Sequence, residues 1–198
     1  MIRRLMLTAA VASLAACNAP EPAQPAPEQP VPPVEQPGAP VSAGDKLTAQ
    51  GFGPLRIGMT RAEVEAALGP DANPNAVGGA DPQICDQFRP ARAPEGLLVM
   101  LENGVLTSVW ATRNPAIETD RALNIGDTAA EVRRVYGTAV VASPHKYESA
   151  PAEYLTVWST ADHTGPDARG VKYTIGSDGK VQSIAGGGPS IEYVEGCA

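Results

Sequence analysis

The sequence predicts an α+β fold in which one helix-plus-antiparallel-sheet unit is written twice. The stretch Leu55–Gly69 recurs without a gap 68 positions later as Leu123–Gly137, with eight of fifteen residues identical. C-terminal to the first copy, the turn Asn103-Gly104 lies between two runs of strand-forming residues, and C-terminal to the second copy Asp178-Gly179 does the same. We therefore expect two tandem units of similar architecture behind a distinct N-terminal region.

Both copies of the repeated stretch have the sequence of a helix start. Thr60 and Thr128 stand three residues before Glu63 and Glu131. This spacing lets the hydroxyl and the carboxylate each bond the other residue's backbone N–H, as in a capping box. Apolar residues follow at i, i+3 and i+4, and a glycine suited to positive φ ends each helix. These apolar residues are Val64, Ala67 and Leu68 in the first copy and Val132, Val135 and Tyr136 in the second.

Residues 1–16 have the composition of a secretion signal. Two arginines precede the apolar run Leu5–Ala16, which is too short for a permanent membrane span. The run ends Leu-Ala-Ala-Cys at Cys17, which resembles the lipobox of bacterial lipoproteins. That resemblance implies acylation of Cys17 and, because Asn18 rather than aspartate follows, the outer membrane of a Gram-negative-type envelope, with the domain in the periplasm or at the surface. An ordinary signal peptide with a chance cysteine is the alternative.

Residues 17–45 are predicted to be a disordered, proline-rich stalk behind the lipid. Nine of the 28 residues 18–45 are proline and none is aromatic, so the segment cannot bury enough apolar area to fold. In a polyproline II conformation, at ~3.1 Å per residue, it could hold the domain up to roughly 85 Å from the membrane. A ligand for an aromatic groove is the alternative interpretation.

The folded region, residues 46–198, divides into the predicted first unit, 46–117, and second unit, 118–198. Alternating apolar residues and turn signals predict a strand in each of several runs. The predicted strands are 84–88, 96–101 and 105–110 in the first unit, and 153–159, 171–175, 181–185 and 191–194 in the second. The glycines at 186–188 are interpreted as a turn or bulge.

The helix signature Ile-Gly-Met-Thr-x-x-Glu-Val at 57–64, closed by Leu-Gly and followed by antiparallel strands, resembles the SmpA/OmlA (BamE) family of small outer-membrane lipoproteins. Duplicated, it resembles the tandem fold of the β-lactamase-inhibitor proteins, whose two sheets form one concave surface. The motif covers 30 of 198 residues in its two copies. The resemblance implies the fold and a protein-binding role. Met59 becomes Asp127 in the second copy, and no contact residue is carried over.

The two cysteines beyond the lipobox predict a disulfide. Cys85 and Cys197 lie in a chain directed to a compartment that permits oxidation. Their bridge would tie the first unit to the C-terminus, for which chain entropy gives about 4–5 kcal/mol of stabilisation. Two free buried thiols are the alternative, and a metal pair is disfavoured because no second ligand stands at metal spacing.

Catalytic, metal and cofactor motifs are not found. The two histidines, His145 and His163, lie in polar loop regions, and the sequence has no nucleophile elbow and no phosphate loop. A hydrolase built on His145, with Lys146 or Tyr147, is the least favoured hypothesis. We therefore expect no enzyme activity, no metal and no cofactor.

The charge excludes one class of partner. The formal net charge is −7, and removal of the signal with Arg3 and Arg4 makes it −9. An acidic domain does not attract nucleic acid or anionic headgroups, so membrane attachment has to come from the lipid. We expect an envelope or secreted protein as partner; the oligomeric state is not predicted.

The scarce aromatic residues supply a candidate binding patch. In the predicted strand 153–159, Leu155 and Val157 lie on one face and Tyr154 and Trp158 on the other. Either the first pair packs under the helices and the aromatic pair lines an open sheet face, or the reverse holds. In the first case Tyr154, Trp158 and Trp110 form the patch, which suits a protein partner. The same residues would serve as stacking platforms in the alternative function, a cell-wall or surface glycan-binding module.

Overall fold

The computed structural model describes residues 44–76 and 78–197. The predicted signal segment, Cys17 and almost all of the proline-rich stalk lie outside these residues. Within them the architecture is α+β, with two helices and antiparallel strands. The elements in chain order are β1 Leu47–Thr48, β2 Gly51–Phe52, α1 Arg61–Leu68, β3 Cys85–Phe88, β4 Leu97–Glu102, β5 Val105–Thr112, α2 Ala129–Tyr136, β6 Val140–Pro144, β7 Glu153–Trp158, β8 Gly170–Ile175 and β9 Val181–Gly187.

Seven strands form one antiparallel sheet in the order β3-β4-β5-β9-β8-β7-β6, and β1 and β2 form a separate two-stranded ribbon. The centre of the large sheet is the pairing of Ser108–Thr112 in β5 with Ser183–Gly187 in β9. Each half of the sheet is a meander of sequential neighbours, so β5 and β9 are the strands through which the halves meet. The sequence did not predict β1, β2 or β6.

Both predicted helix starts are confirmed. Thr60 and Thr128 are N-caps with extended backbone, and each forms a complete capping box with Glu63 or Glu131. The glycines that follow the helices have φ of 86° and 57°, which a residue with a Cβ rarely adopts. Hydrogen bonds from the capping threonines lower the pKa of both glutamates, with the backbone N–H as the largest cause.

Each helix start is bonded to its own hairpin in the same way. In the first half Gly58 N–H donates to Leu106 C=O (2.8 Å) and Arg61 N–H to Gly104 C=O (2.9 Å). In the second half Gly126 N–H donates to Val181 C=O (2.9 Å), and Ala129 N–H to Gly179 C=O (3.1 Å). The helix residues in these bonds differ by 68 positions and the hairpin residues by 75, the two offsets at which the sequence aligns with itself.

The main core lies between the helices, the β1–β2 ribbon and one face of the sheet. Val64 and Leu68 of α1 and Val132 of α2 are fully buried in a cluster with alternate residues of the strands. Burial of one such aliphatic side chain contributes about 1.5–3 kcal/mol. Strand residues of this cluster include Val99, Leu101, Leu106, Val109, Leu155, Tyr173 and Ile184. The cluster continues across β5 and β9, so both halves of the sheet share one core.

Two predictions at the C-terminus are wrong. The predicted strand 191–194 is not formed: its first two residues end a 3₁₀ helix, Pro189–Glu192, that begins with a proline, and the next two are irregular. Gly186 and Gly187 lie inside β9 rather than in a turn. A Cβ on Gly186 would lie 2.2 Å from the carbonyl oxygen of Thr48, and one on Gly187 2.4 Å from that of Thr107. Only glycine fits at these two positions, because neighbouring backbone lies where a side chain would begin.

The two edges of the large sheet offer little backbone for strand addition. Beside β3, Gln87 N–H bonds to Gly78 C=O (2.9 Å), so a loop covers that edge. At the other edge Val140 N–H bonds to Gly137 C=O, and Pro144 has no N–H. Pro and short edge strands protect sheets from pairing with other chains. Binding surfaces are therefore expected on the faces and ends of the sheet.

The predicted disulfide is confirmed. Cys85 and Cys197 are bonded, with their Cα atoms 5.4 Å apart and 112 positions between them in sequence. The first residue of β3 is thus joined covalently to the C-terminal end of the chain.

We predict that Thr60→Ala and Thr128→Ala each lower the free energy of unfolding by about 1 kcal/mol, since each removes an N-cap. The capped glutamates have folded-state pKa values below those of the unfolded chain, so their contribution is present above the unfolded pKa and is lost as the pH falls through the folded value. Urea unfolding at neutral pH and at a pH below the folded-state pKa of both glutamates tests both statements. No loss at neutral pH would contradict the first statement, and equal losses at both pH values would contradict the second.

Candidate binding surface

The face of the large sheet opposite the helices, here called the outer face, carries the predicted aromatic residues. Cross-strand pairing places Trp110, Ala185, Lys172 and Thr156 in one row across β5, β9, β8 and β7. Side chains alternate along a strand, so these residues point away from the main core. Tyr154 and Trp158 flank Thr156 on the same face of β7. Of the two assignments of faces that the sequence left open, the one with Leu155 under the helices agrees with the fully buried Leu155 of the main core.

Part of the outer face is covered by the C-terminal strap, residues 188–197. Gly188 N–H bonds to Thr107 C=O (2.9 Å), and the 3₁₀ helix that follows packs against β5, β8 and β9. Ser190 and Ile191 in that helix are buried. On the strands, Met100, Ala185 and Tyr154 are also buried but lie outside the main core cluster. The strap therefore closes a second, smaller core on this side of the sheet.

A buried lysine fixes the strap to the sheet. Lys172 has 2% of its side chain exposed, and its Nζ lies 3.1 Å from Glu192 Oε2 and 3.2 Å from the Glu192 carbonyl oxygen. The same ammonium lies 4.3 Å from the centre of the Tyr154 ring. Thr156 Oγ1 donates to the other Glu192 carboxylate oxygen (2.8 Å). A buried ammonium is tolerated only with such partners, so the cluster determines where the strap lies.

Tyr154 is covered rather than available to a ligand. It is 6% exposed, and the ring of His145 stacks on it with centroids 4.7 Å apart. Nδ1 of His145 accepts hydrogen bonds from the backbone N–H groups of Tyr147 (3.2 Å) and Glu148 (3.0 Å). The contacts of His145 in the described part of the chain are these amides and two tyrosine rings, with no carboxylate or nucleophile among them.

Trp158 is half-buried at the far end of β7. Its ring lies 5.1 Å from that of His163, in a tilted arrangement. The neighbouring Gly170 leaves room for the indole, since a Cβ there would come within 2.7 Å of Trp158 Cε3. One aromatic plane at the edge of the outer face thus stands beside an exposed histidine.

Trp110 is half-buried, and its cross-strand partner Leu98 lines an open cavity. Its Nε1 donates to Ser108 Oγ (2.8 Å), and its cross-strand neighbours are Leu98 and Ala185. The cavity has a volume of about 430 Å³. Its lining consists of Glu95, Gly96, Leu98, Thr112, Arg113 and Asn114.

Arg113, one of the residues that line this cavity, has an unusual backbone conformation. Its φ is +62°, a value costly for a residue that is neither glycine nor asparagine. Its guanidinium is exposed and has no ion pair among the residues that the structure describes. Strained backbone of this kind is often found at binding sites. No sequence signal marks a left-handed arginine, which is why sequence reasoning missed it.

The three predicted patch residues share the outer face but do not lie side by side. Trp110 and β7 are separated by β9 and β8, a distance of three strand spacings or about 14 Å. Lys172 and the strap occupy part of the intervening surface. The outer face is thus divided into a Trp110 side and a Trp158 side.

Comparisons with known proteins give no relative for this chain. No protein-family model matches it, and comparisons with curated proteins and with solved structures return no significant match. Among residues 44–76 and 78–197, no helix has the length and apolar character to cross a membrane. The same residues contain no group of three or more His, Cys, Asp and Glu side chains arranged to hold a metal ion.

We predict that Glu192→Ala destabilises the protein by about 1–3 kcal/mol, because it leaves the Lys172 ammonium buried with fewer partners. Lys172→Met fills a similar volume without a charge, so the double variant Lys172→Met/Glu192→Ala should recover most of that loss. Chemical denaturation of the four proteins in this cycle gives the answer. If the double variant is less stable than Glu192→Ala alone, the destabilisation by Glu192→Ala does not come from an unpaired Lys172 ammonium, and the prediction is wrong.

Proposed function

We propose that this protein is a non-catalytic, lipid-anchored envelope lipoprotein whose outer sheet face binds another envelope or secreted protein. The observation that carries the proposal is Trp110, a half-buried residue paired across the strands with Leu98, which lines a cavity of about 430 Å³. Half-buried tryptophans beside pockets and exposed arginines are the residues on which protein interfaces depend most. A half-buried tryptophan and an exposed arginine are both present here, and Arg113 lines the cavity.

The two halves of the folded region, residues 46–117 and 118–198, are in this proposal copies of one helix-plus-sheet unit related to the SmpA/OmlA and β-lactamase-inhibitor folds. Supporting this are the identical capping boxes and the matched helix-to-hairpin bonds at offsets of 68 and 75. The halves meet with their last strands paired, which places the sheets side by side. The extended face that results is large enough for a protein partner.

The membrane attachment in this proposal comes from the lipid on Cys17, and the proline-rich residues up to 45 act as the stalk. Its support is the lipobox-like sequence in front of Cys17. Mass spectrometry of the mature protein should find an N-terminal Cys17 carrying a diacylglyceryl group. An unmodified N-terminus at any other residue would remove the lipid anchor from the account.

A glycan-binding module is the second candidate function, and Trp158 is the observation that favours it. The half-buried indole beside exposed His163 presents an aromatic plane at the edge of the sheet. Sugar rings stack on such planes. The two candidates use different tryptophans, so one pair of variants separates them.

We predict that Trp110→Ala lowers capture of the protein partner at least tenfold, while the matched variant Trp158→Ala leaves it unchanged. A truncated interface tryptophan typically costs 2 kcal/mol or more, which exceeds a factor of ten. The measurement is quantitative mass spectrometry of crosslinked partners from intact envelopes that express each variant, normalised to bait.

The opposite pattern supports the second candidate. If peptidoglycan sedimentation is lost in Trp158→Ala and kept in Trp110→Ala, and no crosslinked protein depends on Trp110, the glycan reading replaces the protein-binding one. Circular dichroism of both variants checks that each remains folded.

A further inference from the structure

Four of the six large apolar side chains that are markedly exposed in the described residues gather at one end of the sheet. The four are Ile84, Val105, Tyr193 and Val194, with 60%, 38%, 44% and 39% exposure. The other two, Val141 and Tyr147, lie on and after β6 at the opposite edge. Single exposed apolar residues are ordinary, but a cluster of them indicates an interaction surface. The cluster is here called the turn patch.

Backbone pairing and side-chain bonds place these residues around the β4–β5 turn. Ile84 C=O accepts from Asn103 N–H (2.7 Å), and Val105 pairs with Glu102 across the turn. Tyr193 Oη donates to Glu102 Oε1 (2.9 Å), and Val194 directly follows Tyr193 in the chain. Ile84 and Val105 therefore lie beside the turn, and the Tyr193 hydroxyl holds the segment with Tyr193 and Val194 to the last residue of β4.

The disulfide joins the two chain segments that make up the turn patch. Cys85 follows Ile84 directly, and Cys197 lies three residues after Val194. Glu192, held by Lys172 and Thr156, fixes the strap just before Tyr193. Both ends of the short segment 193–197 are therefore tied to the sheet. Because the segment is already held in place, the exposed Tyr193 and Val194 lose less conformational entropy when a partner binds.

Carboxylates surround the turn patch. Asp81 is exposed and caps a turn at Gln83, and Glu102 accepts the Tyr193 hydroxyl; neither has a cationic partner among the residues that the structure describes. The bond to Glu102 raises the pKa of Tyr193, so the phenol stays protonated as its donor. Asp86 is paired with Arg61, and Glu195 contacts Lys146 at 3.4 Å. The rim is therefore net negative.

We propose that the turn patch is a docking site for a partner-protein segment with apolar side chains flanked by lysine or arginine. The apolar residues give the buried contact, and the unpaired carboxylates of Asp81 and Glu102 select the basic flanks. A second copy of this chain is disfavoured because two acidic rims would face each other. Anionic membrane is disfavoured for the same electrostatic reason.

This site goes beyond the proposed function, since it does not use Trp110 or the cavity that Leu98 lines. Val105 and Trp110 are five residues apart on β5, or about 17 Å along the strand. Variants of the two surfaces therefore give separate answers. If the Trp110 variant fails to lower partner capture, the turn patch is still tested by its own peptide-binding measurement, and the reverse also holds.

The test is selection of a random 12-residue peptide library displayed on phage against the full chain, followed by affinity measurement of the most enriched peptides. Expected are sequences with apolar residues between lysines or arginines. These peptides should bind Val105→Thr/Val194→Thr at least tenfold more weakly, because the substitution keeps shape but adds hydroxyls to the contact surface. The matched control Val141→Thr changes another exposed strand valine and should leave affinity unchanged.

A second variant tests the charge. Asp81→Asn/Glu102→Gln keeps hydrogen-bond acceptors but removes both charges, so it should weaken binding and reduce its dependence on salt. The proposal is overturned if the enriched peptides are neutral or acidic, or if Val141→Thr weakens them as much as the patch variant does. It is also overturned if zwitterionic lipid vesicles compete fully with the peptides, since the occupant would then be a membrane.

Discussion

The pairing of β5 with β9 is the contact on which the rest of the structure depends. It joins two meanders that could each close only a small core and makes them one seven-stranded sheet with a continuous core. Small domains bury too little surface to be stable alone, so sharing a core is the physical advantage of the arrangement. The approach of β9 to β5 requires Gly187, where a Cβ would lie 2.4 Å from the Thr107 carbonyl oxygen. Gly186 is required by the β1–β2 ribbon, since a Cβ there would lie 2.2 Å from the Thr48 carbonyl oxygen.

The second constraint is the C-terminal strap, which decides how much of the outer face a partner can reach. Lys172 and Glu192 hold it in the middle, and the Cys85–Cys197 disulfide holds its end. The strap covers the centre of the face and leaves Trp110 on one side and Trp158 on the other. It also delivers Tyr193 to the β4–β5 turn. The strap therefore covers the apolar centre of the outer face and also supplies Tyr193 to the proposed turn patch. The candidate binding surfaces lie beside the strap for this reason.

Local patterns predicted the local structure well. Capping boxes, the Asn103–Gly104 turn and most strands depend on neighbours in sequence, so Thr60, Thr128 and the turn glycines could be interpreted without a structure. The disulfide could be predicted because only two cysteines remain besides Cys17 and the signal segment predicts a compartment in which disulfides form. What failed depends on distant contacts: the Ile191 helix, the burial of Tyr154 under His145, and the buried Lys172, whose partner lies 20 positions away. Alternation placed Tyr154 on the face opposite Leu155, but it could indicate neither which face meets the helices nor what covers the other face.

The claim that the β5–β9 seam makes one cooperative sheet is tested most directly by native-state hydrogen exchange. If it holds, amides of β4 and β5 and amides of β8 and β9 exchange only through global unfolding, with free energies equal within about 1 kcal/mol and equal to that from chemical denaturation. The contradicting result is a low-energy opening confined to one half. In that case strands β6 to β9 would exchange while β3 to β5 stay protected, or the reverse, and the two halves would be separate folding units that only touch.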